Sequence, residues 1–216
     1  GSEAEMCGNG IRCFAKYVYD SGIIEKKRFT VETPAGIMEP EITVGADNKA
    51  KLITINMGRP SFNRSEIPME GADGRVLNED LCVDGENWKI TSLLMGVPHT
   101  VTYVDDVDTV DIEKIGPLFE KHEAFPKHTN INFAQQMDDR TVKVRTWERG
   151  AGATLACGTG SCSVAVASFL NGRTGREVDI QLPLGTLHIE YREEDGNVYM
   201  TGPAAVSFTG TWPDET

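Results

Sequence analysis

The sequence is short of basic residues. Its 21 Lys and Arg residues face 33 Asp and Glu residues, which gives a formal net charge of −12. Such a surface repels the phosphate groups of nucleic acids and of anionic lipids, and no basic patch offsets that repulsion. Small-molecule chemistry or protein contacts are therefore expected, and neither a nucleic acid nor a membrane is an expected partner.

Long apolar runs are also lacking. No uninterrupted apolar stretch approaches the roughly 20 residues that a membrane helix needs, and the N-terminus has neither the basic nor the apolar segment of a secretory signal. We therefore expect a cytoplasmic protein. The five cysteines are an odd number, so free thiols in a reducing compartment are expected rather than a disulfide framework. Free thiols are available for acid-base work.

Paired zinc knuckles are missing as well. The spacings of Cys7 to Cys13 and of Cys157 to Cys162 do not supply the two short Cys-x₂₋₄-Cys pairs of common structural zinc sites. No metal ligand and no cofactor is therefore predicted. A non-catalytic zinc-binding or thiol-binding module remains an alternative.

The most prominent feature of the sequence is a four-residue motif that occurs twice. Cys7-Gly8-Asn9-Gly10 recurs as Cys157-Gly158-Thr159-Gly160, 150 residues later. In each copy an apolar run ends 15 residues after the cysteine at a glycine, Gly22 or Gly172, which suits a helix C-cap. Two weaker sequence matches follow in the same order: residues 31–36 match residues 180–185, and residues 53–58 match residues 198–202. An ordered set at nearly constant offset indicates duplication of a supersecondary unit.

Hydrophobic periodicity predicts two helices, each accompanied by strands. Ile11, Phe14, Ala15 and Val18 have the spacing of a half-buried helix, whereas residues 161–170 are almost all apolar or small and predict a helix surrounded by protein. A third, short helix is predicted over residues 111–122, with Asp111 as its N-cap. The predicted strands are residues 29–32, 39–44, 51–56, 88–92, 101–104, 130–135 and 142–147. Residues 59–80 are polar and have no sustained period, so a loop with a domain boundary near its start is predicted.

A cysteine at the start of a helix favours acid-base chemistry. The helix dipole and the unsatisfied N–H groups both favour thiolate over thiol. The glycines remove side chains, so the amides of Gly8 and Asn9, or of Gly158 and Thr159, can hold a carboxylate. If the halves face each other, one thiolate can remove a proton beside that carboxylate while the opposite thiol delivers another. The pattern predicts racemisation or epimerisation without a cofactor.

Other interpretations of the cysteines stay open. A cysteine near a helix start is often a small core residue, which is the expectation for Cys13, Cys82 and Cys162. A covalent hydrolase would need a histidine beside the thiol, and His99 could serve, although a duplicated thiol has no role in that scheme. On its own, His99 is expected to be a structural hydrogen-bonding residue.

Two further positions allow both a structural and a functional interpretation. Glu148-Arg149 precedes the glycines that lead to Cys157, and it is either a solvated ion pair or a holder of an ammonium and a carboxylate group. Asn130 alternates with apolar neighbours, and its structural interpretation is an exposed strand face.

The motifs together resemble those of diaminopimelate epimerases, which interconvert LL- and meso-diaminopimelate for lysine and peptidoglycan synthesis. The motifs are Glu5-Met6-Cys7-Gly8-Asn9-Gly10-Ile11-Arg12-Cys13, Gly96-Val97-Pro98-His99, Glu148-Arg149-Gly150-Ala151-Gly152, Ala156-Cys157-Gly158-Thr159-Gly160 and Thr201-Gly202-Pro203-Ala204. They cover essentially the whole chain. Asn9 favours this family over the similar proline racemases, which tend to carry histidine there.

The resemblance implies an α+β fold of two similar domains, each a strand-rich sheet or barrel wrapped around a central helix. The site would lie in the cleft between the domains, with the last strand returning to the first. The implied domains are residues 1–57 with 204–216, the first and incomplete one, and residues 58–203. The resemblance implies a diaminopimelate substrate, no cofactor, and a homodimer as a possible assembly.

The resemblance also implies a role for each motif residue. Cys7 and Cys157 would be the acid-base pair, with His99 and Glu148 as supporting catalytic residues. The carboxylate at the reacting carbon would be held by Gly8, Asn9, Gly158 and Thr159. The distal amino-acid end would be held by Asn130, Glu148 and Arg149.

This sequence departs from the family pattern in three ways. Val97 stands where asparagine is common, so a distal contact is expected to be absent or supplied otherwise. Ala153 stands where glutamate is common, and no effect is assigned to that departure. Family members usually have about 70 residues ahead of the first cysteine motif, about half a small domain, which bring further asparagine and glutamine ligands. We therefore expect a preceding part to be missing and the isolated chain to be weakly active or inactive. A racemase of proline or histidine type on the same fold is the alternative.

Overall fold

The computed structural model describes residues 7–34 and 36–211, which form a sheet-rich structure with few helices. The α-helices are α1 Gly8–Asp20, α2 Ile112–Glu120 and α3 Gly158–Leu170. The strands are β1 Val31–Thr33, β2 Gly36–Met38, β3 Glu41–Val44, β4 Ala50–Asn56, β5 Val76–Val83, β6 Glu86–Met95, β7 Val97–Tyr103, β8 Asn130–Gln136, β9 Thr141–Glu148, β10 Gly152–Thr154, β11 Glu177–Leu182, β12 Gly185–Tyr191 and β13 Val198–Gly202. The predicted α+β class is confirmed. In the described part of the chain, no helix is long and apolar enough to cross a membrane.

One continuous sheet of 11 strands runs through both halves of the chain. Its order is β3-β4-β13-β12-β11-β9-β8-β7-β6-β5, with β10 paired to β9, while β1 and β2 form a separate hairpin. Neighbouring strands are antiparallel except β7 with β8 and β9 with β11, which are parallel. The antiparallel pair β4 and β13, in which Ile55 lies opposite Met200, joins the two halves.

The central helix of this sheet is α3. Residues 160–168 are all buried, because strands β6 to β9 and β11 to β13 contact the helix on several sides. The predicted helix surrounded by protein is therefore confirmed. Two of its buried hydroxyls are satisfied within the helix, since Ser161 donates to the carbonyl of Cys157 and Ser163 donates to the carbonyl of Thr159, both at 2.8 Å.

By contrast, α1 is only half buried. Ile11, Ala15 and Val18 are buried, as their spacing predicts, and the helix packs against β4. Phe14, which was assigned to the same face, is 46% exposed, so that prediction is wrong. A helix turns about 100° per residue, which places Phe14 beside the stripe formed by the other three rather than within it.

A cluster of buried residues that is separate from those around α3 lies beneath α2. Trp88, Phe119 and Phe133 meet edge to face, with ring centroids 5.4 to 6.0 Å apart. Asp111 caps α2 by accepting a hydrogen bond from the backbone N–H of Lys114 at 3.3 Å, which confirms the predicted N-cap. This cluster packs α2 against β8 and β9, the strands that carry Asn130 and Glu148.

The repeated sequence folds into equivalent elements. Helices α1 and α3 are both 13 residues long, and each begins directly after its motif cysteine. Gly22 and Gly172 follow the helix ends with φ of 71° and 66°, a conformation that glycine adopts without strain, so the predicted C-caps are confirmed. The first of the weaker sequence matches corresponds to the hairpins β1–β2 and β11–β12. The second corresponds to β4 and β13.

The domain bounds stay a prediction. Strand β13 pairs with β12 on one side and with β4 on the other, so the sheet is continuous across the expected boundary after residue 57. The outermost parts of the expected first domain, residues 1–6 and 212–216, lie outside the described residues. So do Glu5 and Met6 of the first motif, and Ala35.

Strand β5 was not predicted, because most of it falls in the polar stretch of residues 59–80. It is the terminal strand of the sheet and pairs only with β6 among the described strands. The pairing shifts register between Val76 and Glu79, and Asn78 has a positive φ of 54°. A bulge of this kind interrupts the two-residue alternation by which a strand is recognised in sequence.

Gly116 of α2 packs directly against Trp147 of β9, because a Cβ on Gly116 would lie 2.6 Å from indole ring atoms. We expect Gly116→Ala to lower the free energy of unfolding by about 1–3 kcal/mol, more than the gain in helix propensity. Trp147 cannot move aside freely, since its Nε1 donates to Glu120 at 2.6 Å. Gly175→Ala is the matched control, because no atom lies within 4 Å of its added Cβ. Urea unfolding measures both variants, and equal stabilities would contradict this prediction.

Candidate active site

Cys7 and Cys157 are the N-cap residues of α1 and α3, so the predicted placement of both thiols at helix N-termini is confirmed. Their backbones are nearly identical, with φ and ψ of −133° and 112° at Cys7 and −122° and 113° at Cys157. Each sulfur accepts the N–H of the glycine three residues later, from Gly10 at 3.3 Å and from Gly160 at 3.4 Å. The repeated motif therefore encodes two copies of one thiol-capped helix start.

The two cysteine loops meet. Asn9 Nδ2 of the first loop donates to the carbonyl of Ala156, next to the second cysteine, at 3.4 Å. Met200 of β13 packs against both loops: a Cβ on Gly8 would lie 2.8 Å from Met200 Cε, and one on Gly158 would lie 3.2 Å from Met200 Sδ. Glycine at these two positions therefore lets the helix N-termini approach a shared side chain.

Cys157 is buried, and its thiol is hydrogen-bonded to a carboxylate. Its Sγ donates to Glu148 Oε2 at 3.1 Å and lies 3.5 Å from Thr159 Oγ1. Burial, and then the negative charge of Glu148, raise the pKa of Cys157 to about 12. The position of Cys157 at a helix start therefore does not by itself make this group a thiolate. The N–H of Gly160 does favour the thiolate, but desolvation and the carboxylate outweigh it.

Glu148→Gln is expected to lower the pKa of Cys157 and to speed its alkylation. A thiol with a pKa near 12 reacts slowly at about pH 8, because only the thiolate is nucleophilic. The substitution removes the negative charge while keeping the size of the side chain, so the access of reagent to Cys157 changes little. Iodoacetamide labelling read by peptide mass spectrometry measures the rate, with the exposed Cys13 as internal reference. An unchanged ratio of the two rates would contradict the role given to Glu148.

Arg12 belongs to the first motif, but no role was predicted for it from the sequence. Its buried guanidinium donates to the carbonyl of Gly8 and to Asn9 Oδ1, both at 3.0 Å, and to Met200 Sδ at 3.7 Å. Desolvation lowers the pKa of Arg12, but an arginine stays charged. No carboxylate pairs with it among the described residues. The equivalent position 150 residues later is Cys162, so only one half carries this charge. The signal in the sequence for this role was the position of Arg12, one helical turn after Gly8.

The other three cysteines differ in burial. Cys162 is fully buried in α3, as expected of a small core residue. Cys13 and Cys82 are exposed, so the same expectation is wrong for them, because Cys13 lies off the buried face of α1 and Cys82 lies on the terminal strand β5. Within the described residues, no three His, Cys, Asp or Glu side chains are grouped so that they could hold a metal ion.

Asn130 and Arg149 lie together where β8 begins and β9 ends. Asn130 Nδ2 donates to the carbonyl of Pro98 at 2.9 Å, and its Oδ1 accepts the backbone N–H of Arg149 at 2.7 Å. Asn130 is buried beside β7, so the interpretation as an exposed strand face is wrong. The guanidinium of Arg149 donates to the carbonyl of Lys127 at 2.9 Å, and no ion pair between Glu148 and Arg149 forms among the described residues.

His99 is fully buried on β7, where it lies directly opposite Asn130. Burial, and then the charge of Arg149, lower the pKa of His99 to about 3, so the imidazole is neutral near pH 7. Its Nδ1 lies 3.3 Å from the side-chain nitrogen of Asn132, which sequence analysis missed. The available signal was its spacing: Asn132 follows Asn130 by two residues, so both point to one face of β8.

A cavity of about 900 Å³ opens between the two halves. Its lining includes Val97, Glu148 and Thr159 from the second half, and Met57 and Tyr199 from β4 and β13, the strands that join the halves. A cavity of this size suits a small molecule. Glu148 and Thr159, which both contact the sulfur of Cys157, connect the cavity to that thiol.

Comparison with known proteins gives consistent results along the chain. The family model described as diaminopimelate epimerase matches residues 1–63 and 91–207. The chain is 50% identical to the diaminopimelate epimerase of Pelotomaculum thermopropionicum over 216 residues, which is 100% of this chain and 76% of that protein. It is 48% identical to the diaminopimelate epimerase of Methanococcus maripaludis over 210 residues, or 97% of this chain and 76% of that protein.

Solved structures share the fold at low sequence identity. A hydroxyproline epimerase from Agrobacterium vitis, with bound trans-4-hydroxy-L-proline, has a TM-score of 0.66 at 16% identity and covers 92% of this chain and 64% of that one. A PhzF-family phenazine biosynthesis protein from Bacillus anthracis has a TM-score of 0.63 at 16% identity, over 94% of this chain and 74% of that one. At this identity the likeness shows a common fold.

Proposed function

Because the chain belongs to the diaminopimelate epimerase family, and therefore to the isomerases, we propose that it interconverts LL- and meso-diaminopimelate with two cysteines and no cofactor. The product would serve lysine and peptidoglycan synthesis. The observation that carries the two-cysteine proposal is the pair of equivalent thiol N-caps, at Cys7 and Cys157, on helix starts that meet through the contact of Asn9 with Ala156.

The substrate carboxylate beside the reacting carbon would bind where the two helix starts converge. Backbone N–H groups at a helix N-terminus bind anions, and two such termini favour the extra negative charge that builds up when the α-proton leaves. Gly8 and Gly158 add no side chains of their own to the two loops, and Thr159 lines the cavity. The residues proposed to hold this carboxylate are Gly8, Asn9, Gly158 and Thr159.

The protonation of Cys157 suggests how the proton transfer is divided. Cys157 carries its proton at neutral pH and would deliver it to the α-carbon, while Cys7 would take the original α-proton as a thiolate. The cycle leaves Cys7 as a thiol and Cys157 as a thiolate. Glu148 accepts the S–H hydrogen bond of Cys157 and destabilises its thiolate, so it would promote reprotonation.

The distal amino-acid end would be held near Asn130, Glu148 and Arg149. Both polar ends of the Asn130 side chain are engaged by backbone groups, so Asn130 would act largely by fixing the backbone of Arg149. Val97 lines the same cavity as Glu148, so the wall is apolar at the position where the family often has asparagine.

Turnover of LL-diaminopimelate in deuterated water tests this proposal. We expect meso-diaminopimelate to form with one deuterium at the inverted α-carbon, because the delivered hydrogen comes from an exchangeable thiol. L-Proline and L-histidine, as alternative substrates, should show no α-exchange. Inversion of either one, without inversion of LL-diaminopimelate, would favour a racemase of that type instead. About one zinc per chain in the purified protein would count against the acid-base pair.

A further inference from the structure

His99 holds a polar atom that nothing in the described structure satisfies. Its side chain is fully buried, and Nε2 has no hydrogen-bond partner among the described residues. Leaving a buried polar group unpaired is costly, so such an atom calls for an explanation. A neutral imidazole has one nitrogen that donates and one that accepts. Whether Nε2 donates or accepts a hydrogen bond therefore depends on the group that faces Nδ1.

The group that faces Nδ1 is the side chain of Asn132, whose orientation its other contacts determine. Its Nδ2 lies 3.0 Å from the carbonyl oxygen of Thr100, which can only accept a hydrogen bond. The nitrogen end of the amide must therefore point toward Thr100. The oxygen end accepts the hydroxyl of Thr146 at 3.0 Å. The amide orientation is thus fixed by two neighbours other than His99.

The second hydrogen on Asn132 Nδ2 then faces His99 Nδ1 at 3.3 Å. A donor in this place requires Nδ1 to be the accepting nitrogen, so the proton of the neutral ring resides on Nε2. The ring is neutral because burial, reinforced by the charge of Arg149, disfavours the imidazolium.

We propose that Asn132 is a positioning residue that holds His99 as the Nε2–H tautomer, so that His99 serves the reaction as a hydrogen-bond donor and never as a proton acceptor. The proposal rests on the proposed epimerase function for the use of that donor, but not for the tautomer itself. An unsatisfied N–H recognises a hydrogen-bond acceptor, and the acceptor that the proposed reaction requires near Cys157 is a carboxylate. That carboxylate is supplied either by the substrate or by Glu148.

Nitrogen-15 NMR of the histidine ring tests the tautomer directly. In the wild-type protein without substrate, we expect His99 to show a protonated Nε2 and an unprotonated Nδ1. Thr146→Val, which removes only the contact to Asn132 Oδ1, should keep this pattern. Asn132→Asp places an acceptor beside Nδ1 and should move the proton to Nδ1. A protonated Nδ1 in the wild type, or an unchanged tautomer in a folded Asn132→Asp variant, would overturn the proposal. If Asn132→Asp does not fold, the wild-type and Thr146→Val spectra still decide it.

Two further measurements test how the donor is used. We expect kcat for LL-diaminopimelate to fall about 10- to 100-fold in Asn132→Asp, the loss expected for one hydrogen bond to a charged group, with a smaller change in KM. A shift of the Nε2 proton on adding substrate, retained in Glu148→Gln, identifies the substrate carboxylate as acceptor. A shift lost in Glu148→Gln identifies Glu148, and no shift in either protein overturns the donor role. A wild type with the expected tautomer that inverts L-proline or L-histidine instead of LL-diaminopimelate would refute the proposed function and leave the tautomer assignment intact.

Discussion

Replacement of Cys157 by serine is expected to lower kcat for epimerisation by about 10²–10⁴-fold, the usual contribution of a positioned acid-base group. Serine is itself a good N-cap, so its hydroxyl can still accept the N–H of Gly160 and the helix start should persist. It does not supply a proton as a thiol does. Cys7→Ser should have an effect of the same order, because each half of the proposed cycle needs both groups.

Cys13→Ser is the matched control for these variants. Cys13 is an exposed thiol on the same helix as Cys7, and it has no part in the proposed chemistry. We expect Cys13→Ser to keep wild-type turnover. Steady-state kinetics with LL-diaminopimelate and with the meso isomer measure all three variants, and circular dichroism checks their fold. Normal turnover by either the Cys7 or the Cys157 variant would refute the two-thiol mechanism.

Gly160→Ala is expected to be far more damaging than Gly10→Ala, although the two glycines occupy equivalent positions of the repeat. A Cβ on Gly160 would lie 2.6 Å from Asn132 Oδ1 and 3.2 Å from the sulfur of Cys157. Asn132 is buried and bonded on several sides, so it cannot move aside. A Cβ on Gly10 would lie 3.4 to 3.5 Å from Cys7, an ordinary contact.

The size of the difference follows from this crowding. Forcing an extra methyl group into a packed interior costs about 1–3 kcal/mol, and here it would also displace the thiol that caps α3. We therefore expect Gly160→Ala to lose both stability and most turnover, whereas Gly10→Ala changes stability by less than about 1 kcal/mol. Thermal unfolding and turnover are measured on both variants. Similar losses for the two would show that the crowding at Gly160 is relieved by a rearrangement absent from the structure.

Much of the fold was predictable because the duplication and the periodicity reinforce each other. The apolar run after Cys157 identified α3 as a buried helix, and Gly22 and Gly172 marked where both helices end. Strand β5 escaped prediction because a bulge at Asn78 breaks its alternation. Phe14 was misassigned because its position at the margin of the buried stripe of α1 depends on packing partners distant in sequence.

The candidate site was predictable only where a motif reports local geometry. The caps at Cys7 and Cys157 involve residues three positions apart, so sequence alone could locate them. The protonation of Cys157 could not be predicted, because burial by distant strands and a carboxylate on β9 determine it. The role of Asn132 was hidden for the same reason, since its partners come from β7 and β9.

The buried charge of Arg12 makes the electrostatic field different at the two ends of this duplicated structure. A guanidinium lies at the Cys7 end, where the equivalent residue of the other half is the uncharged Cys162, and a carboxylate from Glu148 lies at the Cys157 end. In the proposed two-cysteine reaction, the two stereoisomers would present their α-hydrogens to opposite ends of this field. The activation free energies of inversion in the two directions would therefore be unequal. Since the equilibrium constant belongs to the substrates alone, any inequality between the two kcat values must be compensated in the two KM values.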